Sequence, residues 1–226
     1  MNTAIIVAAG SGTRFDSATP KQFLDLCGKP VIIQTLEKFE HCGAIDAVVA
    51  VVGASEIERL AELAADAGLT KLTTIVAGGA SRVESVGNGL AAVDPSTEIV
   101  CVHDGVRPLV TVDEIERTID SAIHNGAACL VAPVTDTIKT TDYNKITGTV
   151  DRTSLRRALT PQAFRYAVLR DAFDQGESEM EKATDECYLV ELSGVMISTV
   201  EGSPGNIKIT HREDLLVAEA LMKGAA

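Results

Sequence analysis

The sequence lacks the features that would direct a protein into or across a membrane. None of its 226 residues belongs to an apolar stretch long enough to span a bilayer. The short apolar run at residues 4–9 is followed by glycine, serine and arginine, not by the core and cleavage site of a secretory signal. Its five cysteines are an odd number without a Cys-x-x-Cys pair, which argues against a disulfide framework or a zinc site. We therefore expect a cytoplasmic protein with reduced thiols.

Positive charge is also scarce. The chain has 20 lysines and arginines against 32 acidic residues, a net charge of -12. This balance argues against nucleic acid or an anionic membrane as the partner. An acidic protein that binds a polyphosphate must gather some of its few cations in one place, so cations in loops marked by glycine or proline are informative. Arg107, Arg152 and Lys208 stand in such loops.

Two familiar phosphate loops are missing as well. The dinucleotide fingerprint requires a third glycine three positions after Gly12, where this chain has Phe15. The P-loop requires serine or threonine after Gly-Lys, but Gly28-Lys29 is followed by Pro30. The sequence therefore predicts neither an obvious NAD site nor a Walker loop.

A different glycine loop is present near the start of the chain. Residues 4–15 read AIIVAAGSGTRF and residues 20–23 read PKQF. An apolar strand that opens into small residues lets the backbone approach a phosphate closely, although a tight turn alone would also explain the glycines. Arg14 and Lys21 favour a polyphosphate, because cations stabilise the charge that develops in nucleotidyl transfer. The loop resembles that of nucleotidyltransferases such as the sugar-nucleotide pyrophosphorylases.

The rest of the chain alternates strand and helix patterns. Apolar runs at 4–8, 47–52, 99–102 and 128–132 are typical of strands covered on both faces. Capping boxes, with glutamate three residues after serine or threonine, predict helix starts at Ser55, Ser81, Thr111 and Thr210. We expect one α/β domain over residues 1–226, a three-layer Rossmann-like nucleotidyltransferase fold with a mainly parallel sheet. Ligands should bind beyond the carboxyl ends of the strands, at residues 8–14, 103–107 and 133–137.

One segment interrupts this alternation. Residues 134–151 are rich in threonine, valine and isoleucine around an Asp-Tyr-Asn-Lys tip, which predicts a long hairpin. It could be a solvated excursion, or an arm that closes an active site or joins two subunits. We expect an arm at about 134–157 that forms a homodimer.

A second motif, HDGVRP at 103–108, follows the predicted strand at 99–102. Asp104 therefore lies at the ligand edge, where a carboxylate suits Mg²⁺ shared with substrate phosphates. A turn aspartate that bonds backbone amides is the alternative. His103 is expected to be structural, because no serine or cysteine nucleophile is apparent beside it.

Seven motifs together give a specific resemblance over nearly the whole chain. In order and at about the same spacing, the sequence resembles the 2-C-methyl-D-erythritol 4-phosphate cytidylyltransferase family. The motifs are AAGSGTRF with PKQF, AGGASRVESV (77–86), HDGVRP, APVTDTIK (132–139), TVDRTSLRRALTPQAF (149–164), ATDECYLVE (183–191) and GNIKIT (205–210).

The resemblance implies that CTP and methylerythritol 4-phosphate are the substrates and that Mg²⁺ takes part, bound at Asp104. It implies catalytic roles for Arg14, Lys21, Arg152 and Lys208. The matching nucleotide-binding positions are Ala8, Ala9, Gly10, Gly12, Gly79, Ala80 and Ser85. Those expected to bind the second substrate are Asp104, Arg107, Thr137, Thr160 and Thr184. It also implies that Arg152 serves the active site of a partner subunit.

Some positions depart from the common family pattern, and two other functions stay open. Ala80 replaces a frequent acidic residue, Gly105-Val106 a frequent Ala-Ala pair, and Leu159 a frequent glutamine. An enzyme for ribitol 5-phosphate or another polyol phosphate would share the CTP loop and HDGVRP. A noncatalytic nucleotide-binding protein could use the same fold, although the retained Arg14, Lys21, Asp104 and Lys208 argue against it.

Overall fold

The computed structural model describes residues 1–10, 19–176, 179–180 and 182–224. Predicted positions Gly12 and Arg14 lie outside these ranges. In the described parts of the chain, no helix combines the length and the apolar character needed to cross a membrane.

The strands of the described chain form one large sheet and two small two-stranded pairs. They are β1 (Asn2–Ala8), β2 (Asp25–Leu26), β3 (Lys29–Pro30), β4 (Ala47–Val52), β5 (Leu72–Ala77), β6 (Ile99–Asp104), β7 (Ala127–Pro133), β8 (Lys139–Asp142), β9 (Lys145–Thr149), β10 (Arg156–Arg165) and β11 (Ser198–Glu201). The helices are α1 (Val31–Glu40), α2 (Ile57–Asp66), α3 (Arg82–Ala91), α4 (Val112–Asn125), α5 (Tyr166–Gln175), α6 (Glu186–Leu192) and α7 (Arg212–Gly224).

The large sheet has the strand order β11-β7-β10-β6-β1-β4-β5 and is mainly parallel. Strand β1 pairs in parallel with β4 and β6, and β10 runs antiparallel to both β6 and β7. The register places Ala8 opposite Val52 and Val7 opposite Asp104. The ends of these three neighbouring strands therefore meet at one edge of the sheet, where the sequence predicts the ligand site.

Two apolar clusters cover the faces of this sheet. On one face, Ile6 of β1 belongs to the cluster that includes Phe39 of α1 and Ile115 of α4. On the other, Ile5 belongs to the cluster that includes Leu90 of α3 and Phe173 of α5. Adjacent residues of β1 thus serve opposite cores, as the alternation of side chains along a strand requires. The predicted three-layer architecture is confirmed.

Residues 134–151 contain the predicted hairpin. Strands β8 and β9 pair antiparallel, and Tyr143 and Asn144 at the tip have φ angles of 40° and 67°. Two successive residues with positive φ are typical of the turns that match the twist of a hairpin. Tyr143 is 94% exposed and Ile146 is 68% exposed, so within this chain the hairpin has little apolar support.

Two of the four predicted helix starts are confirmed, and two are wrong. Thr111 and Glu114 form a complete capping box at α4, and Ser81 accepts a hydrogen bond from the Glu84 backbone at α3. Ser55 instead lies within a short 3₁₀ turn, and α2 begins after Glu56. The predicted box at Thr210 is also wrong, because the Asp214 carboxylate accepts hydrogen bonds from the Thr210 and His211 backbones.

Candidate active site

A cavity of about 520 Å³ opens at the predicted edge of the sheet. Its lining comes from the end of β1, the PKQF turn, the start of α3, the end of β6 and the GNIKIT segment. Nine of the predicted site residues line it: Ala8, Ala9, Gly10, Lys21, Gly79, Ala80, Ser85, Asp104 and Lys208.

The PKQF turn is fixed against the end of β1 and against the GNIKIT segment. Gln22 is buried, and its Nε2 donates a hydrogen bond of 2.7 Å to the carbonyl of Ala8. Lys21 Nζ donates a hydrogen bond of 2.9 Å to the carbonyl of Ile209. These bonds place Lys21 in the cavity wall, together with Ala8, Ala9 and Gly10.

The start of α3 forms the neighbouring wall. Ser85 Oγ accepts a hydrogen bond from the Gly79 backbone at 3.1 Å and lies 2.8 Å from the Ser81 carbonyl, to which it donates. The Ala80 backbone donates to Glu84 Oε2 at 2.8 Å. Position 80 itself offers only backbone polar groups, so a nucleotide contact there must be made by the main chain.

Three cations converge on the carboxylate of Asp104. Arg82 Nε lies 3.0 Å from Oδ1, while Lys208 Nζ and Arg107 Nε lie 3.0 and 3.2 Å from Oδ2. Burial alone would raise the pKa of Asp104, but the charges of Arg82, Lys208 and Arg107 outweigh it and hold that pKa well below its usual range. Asp104 is therefore ionised at neutral pH and anchors a positive cluster at the strand end.

Arg82 and its second partner, Glu186, are not among the site residues predicted from the sequence. Besides Asp104, Arg82 binds the buried Glu186 of α6, with Nη1 2.7 Å from Oε1. Burial would lower the pKa of Arg82, but the charges of Glu186 and Asp104 raise it. A signal was present in the sequence, since Arg82 directly follows the Gly-Gly-Ala-Ser run, and Glu186 ends the Thr-Asp-Glu run that contains Thr184.

A chain of buried polar groups supports Asp104 from behind. Thr160 Oγ1 accepts a hydrogen bond from the Asp104 backbone at 3.2 Å and lies 3.0 Å from His103 Nδ1. His103 Nε2 lies 3.2 Å from the carbonyl of Arg107. Because Nε2 faces a carbonyl, it carries the proton, and Nδ1 accepts from the Thr160 hydroxyl. Burial lowers the pKa of His103 to about 4, so His103 is neutral and structural, as expected.

Asn206 ties the GNIKIT segment to this support. Its side-chain Nδ2 donates to the carbonyl of Thr160 at 2.9 Å, and its backbone carbonyl accepts from Arg107 Nη1 at 2.9 Å. Thr160 and Arg107 do not line the cavity. In this chain they hold the residues that do.

Three other predicted residues among those described are absent from the cavity lining. Thr137, Arg152 and Thr184 are exposed, and none of the three contributes to the cavity lining. Arg152 Nη1 donates to the carbonyl of Thr135, at the base of the hairpin. The structure thus gathers the predicted nucleotide-binding residues that it describes, but not all of those expected to bind the second substrate.

The donor set suits Mg²⁺ that is carried in with phosphates. No group of three potential ligands from histidine, cysteine, aspartate or glutamate occurs in the described ranges. Mg²⁺ is commonly bound by one or two carboxylates together with substrate phosphates and water. Asp104, a single ionised carboxylate at the cavity edge, fits such a shared site.

Taken together, the fold and this cavity define a nucleotidyltransferase. A glycine loop follows the first strand, and a cluster of cations meets one carboxylate at the end of a neighbouring strand. Such a site neutralises and positions phosphates.

Comparison with known proteins identifies the family. The model of the 2-C-methyl-D-erythritol 4-phosphate cytidylyltransferase family matches residues 2–224, and the chain belongs to this family. It is 41% identical over 224 residues to the enzyme of that name from Geobacter metallireducens, with 97% of each chain covered. It is 42% identical over 220 residues to that from Bacillus velezensis, covering 97% of this chain and 94% of the relative.

Solved structures agree. The 4-diphosphocytidyl-2C-methyl-D-erythritol synthase from Anaerococcus prevotii has a TM-score of 0.86 at 28% identity, covering 98% of this chain and 96% of that one. The 2-C-methyl-D-erythritol 4-phosphate cytidylyltransferase from Thermus thermophilus has a TM-score of 0.80 at 30% identity, covering 97% of this chain and 98% of that one. The predicted fold and family are both confirmed.

Proposed function

We propose that the cavity around Asp104 is where this cytidylyltransferase brings its two substrates together. The enzyme transfers CMP from CTP to 2-C-methyl-D-erythritol 4-phosphate, giving 4-diphosphocytidyl-2-C-methyl-D-erythritol and pyrophosphate. One observation supports this location above all: Arg82, Arg107 and Lys208 converge on Asp104 in a chain of net charge -12. Concentrated positive charge beside a glycine loop suits two phosphate-bearing substrates.

CTP would bind along the walls made by β1 and α3. The backbone of Ala8, Ala9 and Gly10 would approach the phosphates, since small residues leave the main chain accessible. Gly79, Ala80 and Ser85 would contact the cytidine. Lys21 would bind the phosphates that leave, and Arg14, with Gly12, would complete the loop from the segment outside the described residues.

The chemistry requires positioning rather than a nucleophile on the protein. An oxygen of the methylerythritol phosphate attacks the α-phosphorus of CTP and forms a new P–O bond. The bond between the α-phosphorus and the oxygen bridging to the β-phosphorus breaks, and the electron pair leaves with pyrophosphate. A phosphate monoester is already anionic near neutral pH, so no strong base is needed. The protein contributes alignment and charge neutralisation.

Asp104 would hold Mg²⁺ together with phosphate oxygens of the substrates. When bound, the ion offsets phosphate charge during transfer. Asp104 is ionised at neutral pH, and Mg²⁺ would share or replace the contacts that this carboxylate makes with Arg82, Arg107 and Lys208.

The acceptor would bind on the side of Lys208. Lys208 lines the cavity, while Arg107 and Thr160 position the groups around it. Thr137, Thr184 and Arg152 would complete this pocket in an assembled homodimer. The exposed hairpin supports such an assembly, and so does the position of Arg152 away from the cavity of its own chain. The five free cysteines support a location in the cytoplasm.

Pyrophosphate release across a small panel of substrates tests this function. CTP, UTP and ATP are each combined with methylerythritol 4-phosphate and with ribitol 5-phosphate. The highest kcat/KM is expected for CTP with methylerythritol 4-phosphate, because a site built for one base edge leaves buried groups unpaired with another. A higher kcat/KM with ribitol 5-phosphate would replace this acceptor, and CTP binding without any turnover would indicate a noncatalytic protein.

A further inference from the structure

Arg82 connects two segments of the chain that are assigned to different substrates. It is the first residue of α3 and lies within the proposed cytidine-binding segment, between Ala80 and Ser85. Its partner Glu186 is the first residue of α6, two positions after Thr184. The two side chains are 104 residues apart in sequence and meet at 2.7 Å. Arg82 therefore spans the nucleotide wall and the segment assigned to the acceptor.

One guanidinium serves both carboxylates at once. Nε of Arg82 binds Asp104 Oδ1 at 3.0 Å, while Nη1 binds Glu186 Oε1 at 2.7 Å. We call these three residues the Arg82 bridge. Arginine can do this because its donors are fixed in one plane, whereas a lysine ammonium has no such fork. Because Glu186 holds the guanidinium in place, the bridge fixes the position of the Arg82 donor that binds Asp104 Oδ1.

Glu186 lies between two residues that are held in place by hydrogen bonds. It is fully buried, and the residues on either side of it are both bound by Gln162 of β10. Gln162 Nε2 donates to Asp185 Oδ2 at 2.9 Å, and its Oε1 accepts from the Cys187 backbone at 3.2 Å. Asp185 in turn caps α6 by accepting from the Tyr188 backbone. A carboxyl group buried between two fixed residues gives Arg82 a partner with a fixed position.

Oδ1 of Asp104 depends on this bridge more than Oδ2 does. Oδ2 is bound by both Lys208 and Arg107, while among the described residues Arg82 alone forms an ion pair with Oδ1. If Arg82 turned away, the two cations on Oδ2 would pull the carboxylate toward the GNIKIT side.

We propose that Glu186 is a positioning residue: through Arg82 it holds the Asp104 carboxylate in the orientation that nucleotidyl transfer requires. This inference rests on the proposed function, because it assigns Glu186 a part in the work of the same site. Glu186 does not contribute to the cavity lining, so it acts only through Arg82.

The test compares Glu186→Gln and Arg82→Lys with a matched control, Asp113→Asn. Asp113 also pairs with an arginine, Arg117, at 2.8 Å, but both side chains are exposed on α4. Glu186→Gln keeps the size of the side chain and removes its charge. It should lower kcat about tenfold at temperatures well below its Tm, which is the loss expected from one charge-assisted contact. Asp113→Asn should keep the wild-type kcat.

A double-mutant cycle distinguishes a positioning role of Glu186 from a general disturbance of the fold. If Glu186 acts through Arg82, adding Glu186→Gln to Arg82→Lys should cost much less than adding it to the wild type. If each substitution lowers kcat by the same factor in the double variant as it does alone, the proposal is overturned. So would a wild-type kcat in folded Glu186→Gln. If Glu186→Gln does not fold, Arg82→Lys decides alone, because lysine cannot bind both carboxylates through one fork, and an unchanged kcat would then contradict the bridge.

A spectroscopic measurement keeps this inference distinct from the reaction itself. The Nε–H proton of Arg82 should be protected from exchange with water in nitrogen-15 NMR spectra of the wild type and of Asp113→Asn. In Glu186→Gln that protection should fall, because Arg82 loses the partner at Nη1 that holds its Nε–H against Asp104 Oδ1. Retained protection would contradict the bridge even if the wild type released no pyrophosphate, and absent pyrophosphate release would contradict the reaction even if the protection behaved as expected.

Discussion

Lys21 and Ile209 are 188 residues apart, and the ammonium of Lys21 donates a hydrogen bond to the carbonyl of Ile209. This contact joins the loop that follows the first strand to the segment that carries Lys208. The two lysines therefore line the same cavity from opposite ends of the chain.

Replacing Lys21 with alanine should lower kcat by at least ~10²-fold, the scale of losing one electrostatic contact to the transition state. Steady-state pyrophosphate release measures this loss, and circular dichroism checks the fold. Lys29→Ala is the control, because Lys29 is exposed and pairs with Glu37 outside the cavity. Near-normal turnover in a folded Lys21→Ala protein would remove Lys21 from the proposed machinery.

Two inactive variants should restore activity when they are mixed. If Arg152 serves the partner subunit, Lys21→Ala and Arg152→Ala homodimers are each nearly inactive. A mixed dimer has one site with both defects and one site with none. Random exchange makes half of the dimers mixed, so recovery should approach roughly 25% of wild-type activity if the sites act independently. No recovery, with exchange confirmed by native mass spectrometry, would place Arg152 in its own chain's site or in support of the fold.

Protonation of His103 should destabilise the protein in mild acid. Because burial lowers its pKa from 6.5 to about 4, the unfolded state binds more protons between these values. Stability therefore rises with pH across this window and is lost as the pH falls. From pH 7.5 to pH 5 the contribution is on the order of 2 kcal/mol.

Urea unfolding at several pH values measures this effect. His103→Gln should flatten the pH dependence, even if it lowers stability at every pH. His124→Gln is the control, since His124 is exposed on α4, and it should retain the wild-type slope. Equal slopes in wild type and His103→Gln would show that His103 is not the responsible group.

Two glycines of α3 should respond oppositely to the same change. A Cβ at Gly87 would meet Phe173 at 3.5 Å, which is ordinary contact, so Gly87→Ala should raise stability by ~0.5–1 kcal/mol through helix propensity. A Cβ at Gly89 would lie 2.6 Å from Ile5 and 2.9 Å from Val51, so Gly89→Ala should lower stability by ~1–3 kcal/mol. Thermal unfolding of both variants checks the sign, and a shared sign would show that propensity or packing alone controls this helix.

The strands that could be predicted from the sequence are those made of consecutive apolar residues. Ala47–Val52 and Ile99–Asp104 are covered on both faces and read as continuous runs. Strand β10 was not predicted because its apolar residues are interspersed with arginines, threonine and proline. It interrupts the parallel pairing of the sheet by running antiparallel to its neighbours. Strand β5 was missed because its residues are only partly buried at the edge of the sheet.

The site was predictable where function requires backbone geometry or a charge at the end of a strand. Gly10, Gly79 and Asp104 fall at such points and line the cavity. The pairing of Arg82 with Glu186 could not be predicted from spacing, because it depends on how α3 and α6 pack on one face of the sheet. The predicted capping box at Thr210 was wrong because the Asp214 carboxylate, not that of Glu213, accepts the hydrogen bond from the Thr210 backbone.

The order of the chain has a consequence for how the enzyme becomes active during synthesis. Every strand of the large sheet ends before residue 202, whereas Lys208 comes later. Ribosomes add roughly 5–20 residues per second, so Asp104 is made about 5–20 s before the lysine that binds it. The last strand of the sheet ends only seven residues before Lys208, so the sheet and the cation cluster both stay incomplete until late in synthesis. Catalytic competence therefore requires the GNIKIT segment to reach Asp104, so a chain that stops before this segment should be inactive even with every strand of the sheet present.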